Sequence, residues 1–218
     1  MGELEKIQLM HLCSQVFPTG IFSHSFGYEM MLEDGFAIDA QGYRNYLEGT
    51  LQMGNVAVEA AIIKFTYCYP EKIDKWDMLC SAIKPTKELR SASIRTGRAF
   101  LKVFQQMYPE NPLVKNHLKK GNYAVAFGIA SRYLHIPLED ALSGYITSTL
   151  LSGIQVGIKL IPLGQTEGQL IMMDSYPAVL ECIEQAKKMK EDDIFAFTPI
   201  IDIASMRHEE QFSRMYMA

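Results

Sequence analysis

No excess of charge of either sign marks this chain. Its 218 residues carry 21 Lys and Arg against 25 Asp and Glu, a formal charge of −4. Binding to phosphate backbones needs clustered positive charge, so the balance argues against a nucleic-acid partner. A hydrophobic share of 48% is too high for a solvated, disordered tail and ample for a buried core. Cysteine is sparse. Cys13, Cys68, Cys80 and Cys182 form no Cys-x-x-Cys pair, and a chain of this length does not need disulfide staples. The opening Met1-Gly2-Glu3-Leu4-Glu5-Lys6 lacks the basic start and apolar run of a secretory signal. Reduced cysteines in a cytoplasmic protein are therefore expected. Residues 141–158 hold no charge, but Ser143, Thr147, Ser148, Thr149, Ser152 and Gln155 dilute the run. A membrane span needs about 20 predominantly apolar residues, so this stretch is predicted to be a buried helix.

The motifs of common chemistries are missing too. There is no Gly-x-x-x-x-Gly-Lys-[Ser/Thr] loop to cradle a nucleoside triphosphate. Residues 20–27 hold two glycines and two serines, yet no strand precedes them, and a nucleotide fold requires one. A turn into a helix capped by Ser23 or Ser25 accounts for the same residues. The five histidines, His11, His24, His117, His135 and His208, include no i,i+4 pair and no His-Glu-x-x-His. No local spacing closes a four-ligand metal site, so neither a metal nor an organic cofactor is expected. A hydrolase built on His208 and Asp202 has no recognisable nucleophile partner, and catalysis is not expected.

What is present reads as helix. Pro137 suits a first helical position, followed by Glu139 and Asp140 at the positive end of the dipole, and Pro162 stops the element near Ile161. A second helix runs from Pro85 or Thr86 to before Pro109, with Leu89, Ile94, Phe100, Leu101, Phe104 and Met107 as its stripe. A long helical tract is expected between 40 and 68, and shorter helices at 22–33, 122–134, 177–190 and 199–213. No repeat or linker divides the chain. The expectation is an all-α, single-domain bundle of roughly eight to ten helices with negligible strand.

Three side-chain patterns invite a functional reading. Arg95, Arg98 and Lys102 share one helix face at spacings of three and four; they are either a solvated stripe or a surface for an acidic partner or a partner's nucleotide. Gly144, Ser148, Ser152, Gly153 and Gly157 line one side of the 138–160 helix with small residues, which lets another helix approach closely. That helix belongs either to the same core or to a second copy across a dimer seam. The segment 199–218 starts with Thr198 before Pro199, sets His208 towards the face of Ile201 and Ala204, and groups Asp202, Ser205, Met206 and Glu209 on another. It ends with Phe212, Arg214, Met215, Tyr216 and Met217. Aromatic, Met and Arg side chains are enriched at interface cores, so the segment either docks a partner or folds back on its own bundle.

Three ordered blocks carry a family resemblance. Phe17-Pro18-Thr19-Gly20-Ile21-Phe22-Ser23-His24-Ser25-Phe26-Gly27-Tyr28-Glu29 resembles the Pro-x-Gly-x-Phe-x-x-Ser-x-Gly-x-Glu signature of the urease accessory protein F family. Its matching positions are Pro18, Gly20, Phe22, Ser25, Gly27 and Glu29. Pro162-Leu163-Gly164-Gln165-Thr166-Glu167-Gly168-Gln169 is similar to that family's Pro-Leu-Gly-Gln-x-x-Gly-Gln segment. Residues 199–209, leading into Ser213-Arg214-Met215-Tyr216, are similar to its C-terminal motif, although the usual final arginine is absent. The resemblance implies a non-catalytic, all-helical, cytoplasmic protein that dimerises and binds urease accessory protein D (also called H). It implies that the pair recruits the GTPase accessory protein G and that the assembly delivers nickel to apo-urease. A role as activator or gate of that GTPase is the alternative it allows.

Overall fold

The computed structural model describes residues 1–20, 25, 27–35, 39–52, 54–110 and 118–207. Among these, regular structure is helical and no strand occurs. The α-helices are α1 (Glu3–Leu12), α2 (Tyr28–Glu33), α3 (Ala40–Gln52), α4 (Asn55–Cys68), α5 (Ile73–Ala82), α6 (Lys87–Met107), α7 (Tyr123–Tyr133), α8 (Leu138–Leu160), α9 (Gln165–Asp174), α10 (Tyr176–Lys188) and α11 (Pro199–Arg207). The predicted all-α bundle is what forms.

Helices α4 and α7 are apolar around most of their circumference, and a helix of that kind has to lie at the centre. Both do. Val56 to Ile63 of α4 is buried apart from Glu59, and Tyr123 to Ser131 of α7 is buried throughout. They cross so closely that a Cβ on Gly128 would come within 2.9 Å of the Thr66 side chain. Helices α6, α8 and α10 pack around this pair, α3 and α5 close its flanks, and α1 and α9 lie against α8. Helix α8 contains the uncharged stretch 141–158. Its Ala141, Leu142, Tyr145, Ile146, Leu150 and Ile154 are buried, and among the described residues no helix is long and apolar enough to cross a membrane.

Most helix limits follow from local chemistry. Thr86 caps α6, its Oγ1 accepting from the Leu89 N–H at 3.3 Å, and Pro137 precedes the first turn of α8. The tract expected between 40 and 68 is two helices. Extended Gly54 breaks it, at a point where a Cβ would lie 2.6 Å from the Thr50 carbonyl oxygen. Helices α1, α5 and α9 were not anticipated, and α2 starts at Tyr28 rather than at 22.

A buried carboxylate fixes the entry to α7. Asp77 of α5 is fully buried and accepts from the backbone N–H groups of Lys120, Gly121 and Asn122 at 2.7–3.1 Å and from Asn122 Nδ2 at 2.9 Å. The loop so held lies on α6, where Gly97 has no room for a side chain against the Gly121 carbonyl.

Candidate functional site

The first and third blocks meet in space. Gly27 opens α2 with φ +84°, a backbone conformation that disfavours any side chain. A Cβ there would lie 3.0 Å from the Ile201 carbonyl oxygen, 3.0 Å from the Ser205 nitrogen and 3.4 Å from Ala204 Cβ. The glycine thus seats α11 directly on the start of α2. Met30, Met31 and Ala204 form a small buried cluster there, with Tyr46 and Ile201 against it. Arg207 Nη1 pairs with Asp34 Oδ2 at 2.5 Å. Glu29 and Ser25 of the first block are buried, whereas Pro18 and Gly20 lie at the surface.

The far side of α11 is apolar and open. Ile200, Ile203 and Met206 recur every three residues and are 56%, 57% and 58% exposed. Phe195 and Phe197 precede them, 73% and 68% exposed, with rings stacked at 6.2 Å. Helix α11 therefore has two apolar faces, one against α2 and one outward. This differs from the single apolar face read from the sequence: Ser205, grouped there with Met206, points inward and is fully buried. The signal was the offset pair of stripes, Ile201/Ala204 and Ile200/Ile203/Met206.

Asp202 sits at the edge of the contact. Burial pushes its carboxyl pKa up, and a bond from the Thr198 side chain offsets only part of that. Its Oδ1 and the Ser205 hydroxyl are buried without a hydrogen-bond partner. His208, Glu209, Phe212, Arg214, Met215 and Tyr216 lie outside the described residues, as does Phe22.

The second block shapes the turn from α8 into α9. Leu163 is buried, and Glu167 Oε2 accepts from the Gly164 N–H at 2.8 Å, capping α9. Gly168 faces Ile154 and Ile158 of α8, where a Cβ would approach Ile158 Cδ1 to 2.8 Å. Pro162, Gln165 and Gln169 are exposed.

The small residues of α8 serve contacts within the chain. A Cβ on Gly153 would lie 2.7 Å from Leu47 Cδ2, and one on Gly157 would overlap the Tyr43 ring, both on α3. Tyr43 Oη donates to the Gly153 carbonyl. Gly144 meets Leu9 and Cys13 of the α1 end. Ser148 and Ser152 are half-buried, their hydroxyls donating back to Tyr145 and Ser148 carbonyls at 2.9 and 2.8 Å. These distances place Gly144, Gly153 and Gly157 against α1 and α3 of the same chain.

Arg95, Arg98 and Lys102 are exposed on α6, and Arg98 Nε donates to the Lys120 carbonyl at 2.9 Å. Among the described residues no three His, Cys, Asp or Glu side chains gather as a metal ion requires. The cysteines are unpaired. Burial pushes the Cys13 and Cys182 thiols up to about 12 and Cys80 to about 11, which keeps them protonated and unreactive at neutral pH.

Comparison with known proteins agrees with the family resemblance. A family model described as UreF matches residues 38–176. A urease accessory protein UreF of Nostoc sp. (strain PCC 7120) is 32% identical, over 96% of this chain and 94% of the relative. One from Microcystis aeruginosa is 31% identical over 99% of both chains. One from Paenarthrobacter aurescens is 30% identical over the whole of both.

Proposed function

The chain belongs to the UreF family of urease accessory proteins, and on that premise we propose that it is a non-catalytic, cytoplasmic scaffold of urease maturation. In this reading it binds urease accessory protein D through residues 199–218, and the pair recruits the GTPase accessory protein G. The assembly, built on a dimer of this chain, inserts nickel into apo-urease. The observation that supports it most is the outward face of α11. Ile200, Ile203 and Met206 are more than half exposed on a helix already seated by its opposite face, and Phe195 and Phe197, just before that helix, are too. Apolar side chains held rigidly at the surface mark an interface more than a solitary domain.

Capture of urease accessory protein D by the tagged chain tests the proposal. Ile203→Glu and deletion of residues 211–218 each should weaken capture about 30-fold or more, the effect of an interface hot spot of about 2 kcal/mol. Ile203→Glu should leave melting within about 0.5 kcal/mol of the parent, as surface changes do, and the deletion should leave it nearly unchanged. Full capture by both variants would end the assignment.

The exposed Arg95, Arg98 and Lys102 stripe supports a second reading, in which this protein regulates the partner GTPase. An arginine supplied to the nucleotide contributes about 10³-fold or more to turnover. Arg95→Ala or Arg98→Ala in the assembled complex should lower GTP hydrolysis on that scale. Unchanged turnover with both variants excludes it.

A further inference from the structure

Between α10 and α11 the chain runs Ile194-Phe195-Ala196-Phe197-Thr198. All but Ala196 are β-branched or aromatic, the residue types that favour strands. Their exposure alternates. Phe195 and Phe197 are exposed, while Ile194, Ala196 and Thr198 are half-buried, with Ile194 packed on the main core. A period of two is that of a strand. Ile194 is extended, with φ −71° and ψ 97°, and Pro199 biases Thr198 the same way. Two residues of strand rise about 6.6 Å, which fits the stacked Phe195 and Phe197 rings at 6.2 Å.

This strand has no sheet. Among the described residues, neither the N–H nor the C=O of Phe195, Ala196 or Phe197 has a hydrogen-bond partner in the chain. The Ile194 N–H, by contrast, donates to the Glu191 carbonyl at 3.3 Å, and the Thr198 carbonyl accepts from the Asp202 N–H at 2.9 Å. In a strand both groups of one residue point to the same edge, and neighbours alternate. The two edges therefore differ. That of Ile194, Ala196 and Thr198 is tied at both ends to the chain's own turns, whereas that of Phe195 and Phe197 is free along its length.

Resting on the reading that this face is an interface, we propose that the segment docks by strand addition. The edge of Phe195 and Phe197 pairs with the open edge of a β-sheet in a partner protein, and the two rings lie on that sheet's face. In such docking main-chain bonds supply the affinity and alternate side chains the specificity. A second copy is the poorer occupant. Among the described residues this chain forms no sheet, so two copies would make a two-stranded ribbon, which is marginal in water. A partner's sheet is already formed. Its edge also suits the approach in charge: sheet edges are commonly guarded by lysine, and the segment is entered through the turn Glu191–Asp193, on which Asp192 is exposed.

Amide hydrogen exchange of the full chain, alone and in complex with urease accessory protein D, tests it. The Phe195 and Phe197 amides should exchange freely in the chain alone and slow about tenfold or more in the complex, with Ala196 between them changed far less. Phe197→phenyllactate keeps the ring and removes the N–H; capture should weaken about three- to tenfold, the worth of one net hydrogen bond. Equal slowing of all three amides would mark burial under side chains or an added turn of α11. That result would overturn strand addition while leaving the interface standing, as would unslowed amides in a complex that still forms, or undiminished capture by the phenyllactate variant. Slowing of Phe195 and Phe197 in the chain alone as its concentration rises would make a second copy the occupant and overturn it too. Failure of protein D to bind at all removes the interface reading and the strand docking together.

Discussion

Two glycines in helix interiors make opposite predictions from the same substitution. Gly49 on α3 has nothing within 4 Å of where its Cβ would stand. Glycine is about 0.8–1.0 kcal/mol less favourable than alanine inside a helix, so Gly49→Ala should stabilise by about that much. Gly157 on α8 gains the same propensity on becoming alanine, but its Cβ would overlap the buried Tyr43 ring. Displacing that ring costs about 1–3 kcal/mol of overpacking. Loss of the bond from Tyr43 Oη to the Gly153 carbonyl adds about 1 kcal/mol. The net for Gly157→Ala is a loss of about 1–3 kcal/mol. At about 2–4 °C per kcal/mol for a chain of this size, the melting temperature should fall by roughly 2–12 °C, while Gly49→Ala should raise it by roughly 2–4 °C. Scanning calorimetry reads both. The reasoning fails if Gly157→Ala melts as high as Gly49→Ala. If it does so and also sediments as a smaller species than the parent, the close approach at α8 is between two copies.

Asp77→Ala strips a fully buried carboxylate from three backbone N–H groups. At about 1–3 kcal/mol for each orphaned donor, urea unfolding should show a loss of about 3 kcal/mol or more. Lys84→Met leaves Glu59 charged and unpaired, a cost of about 3–5 kcal/mol, and Lys84→Met with Glu59→Gln should recover most of it. Burial opposes the Lys84 charge, but Cys80 and Glu59 outweigh it and raise the pKa. The stability this pair contributes is therefore intact below the ordinary lysine value of about 10.4 and lost as pH rises through the folded value, which alkaline melting curves of parent and double variant should show. Asp202 has the opposite consequence, because a carboxyl raised by burial penalises the docked helix when ionised. Hydrogen exchange at α11 should slow as pH falls through the acidic range, and Asp202→Asn should slow it at neutral pH; equal protection in both proteins at pH 7 would refute this.

How much of this was legible depends on where each residue's partners sit. Pro137, Pro162 and Thr86 act on their own turns, so the limits of α6 and α8 could be read directly. Gly54 acts locally too, but a single glycine in a helical pattern is ambiguous until its clash with Thr50 is seen. Helix α1 escaped because Leu4, Ile7 and Met10, its regular stripe, are 63–74% exposed and only its end packs inward. Asp77 and Lys84 look like surface charges in sequence. Their partners are loop N–H groups and a carboxylate on other elements, contacts that no spacing rule reaches. At the candidate site, the three blocks were visible as motifs. Their meeting at Gly27 was not, since it depends on the tertiary path between α2 and α11.

That meeting also has a consequence in time. Helix α2 leaves the ribosome early and α11 late, with the whole helical core synthesised between them, and domains take shape as they emerge. The bed that Gly27 offers to Ile201, Ala204 and Ser205 therefore waits unfilled until the core has been made. The outward stripe of Ile200, Ile203 and Met206 acquires its fixed orientation only at that last step. A chain stalled or misfolded midway presents no such surface, so whatever reads the stripe reads, in effect, a certificate of completed folding.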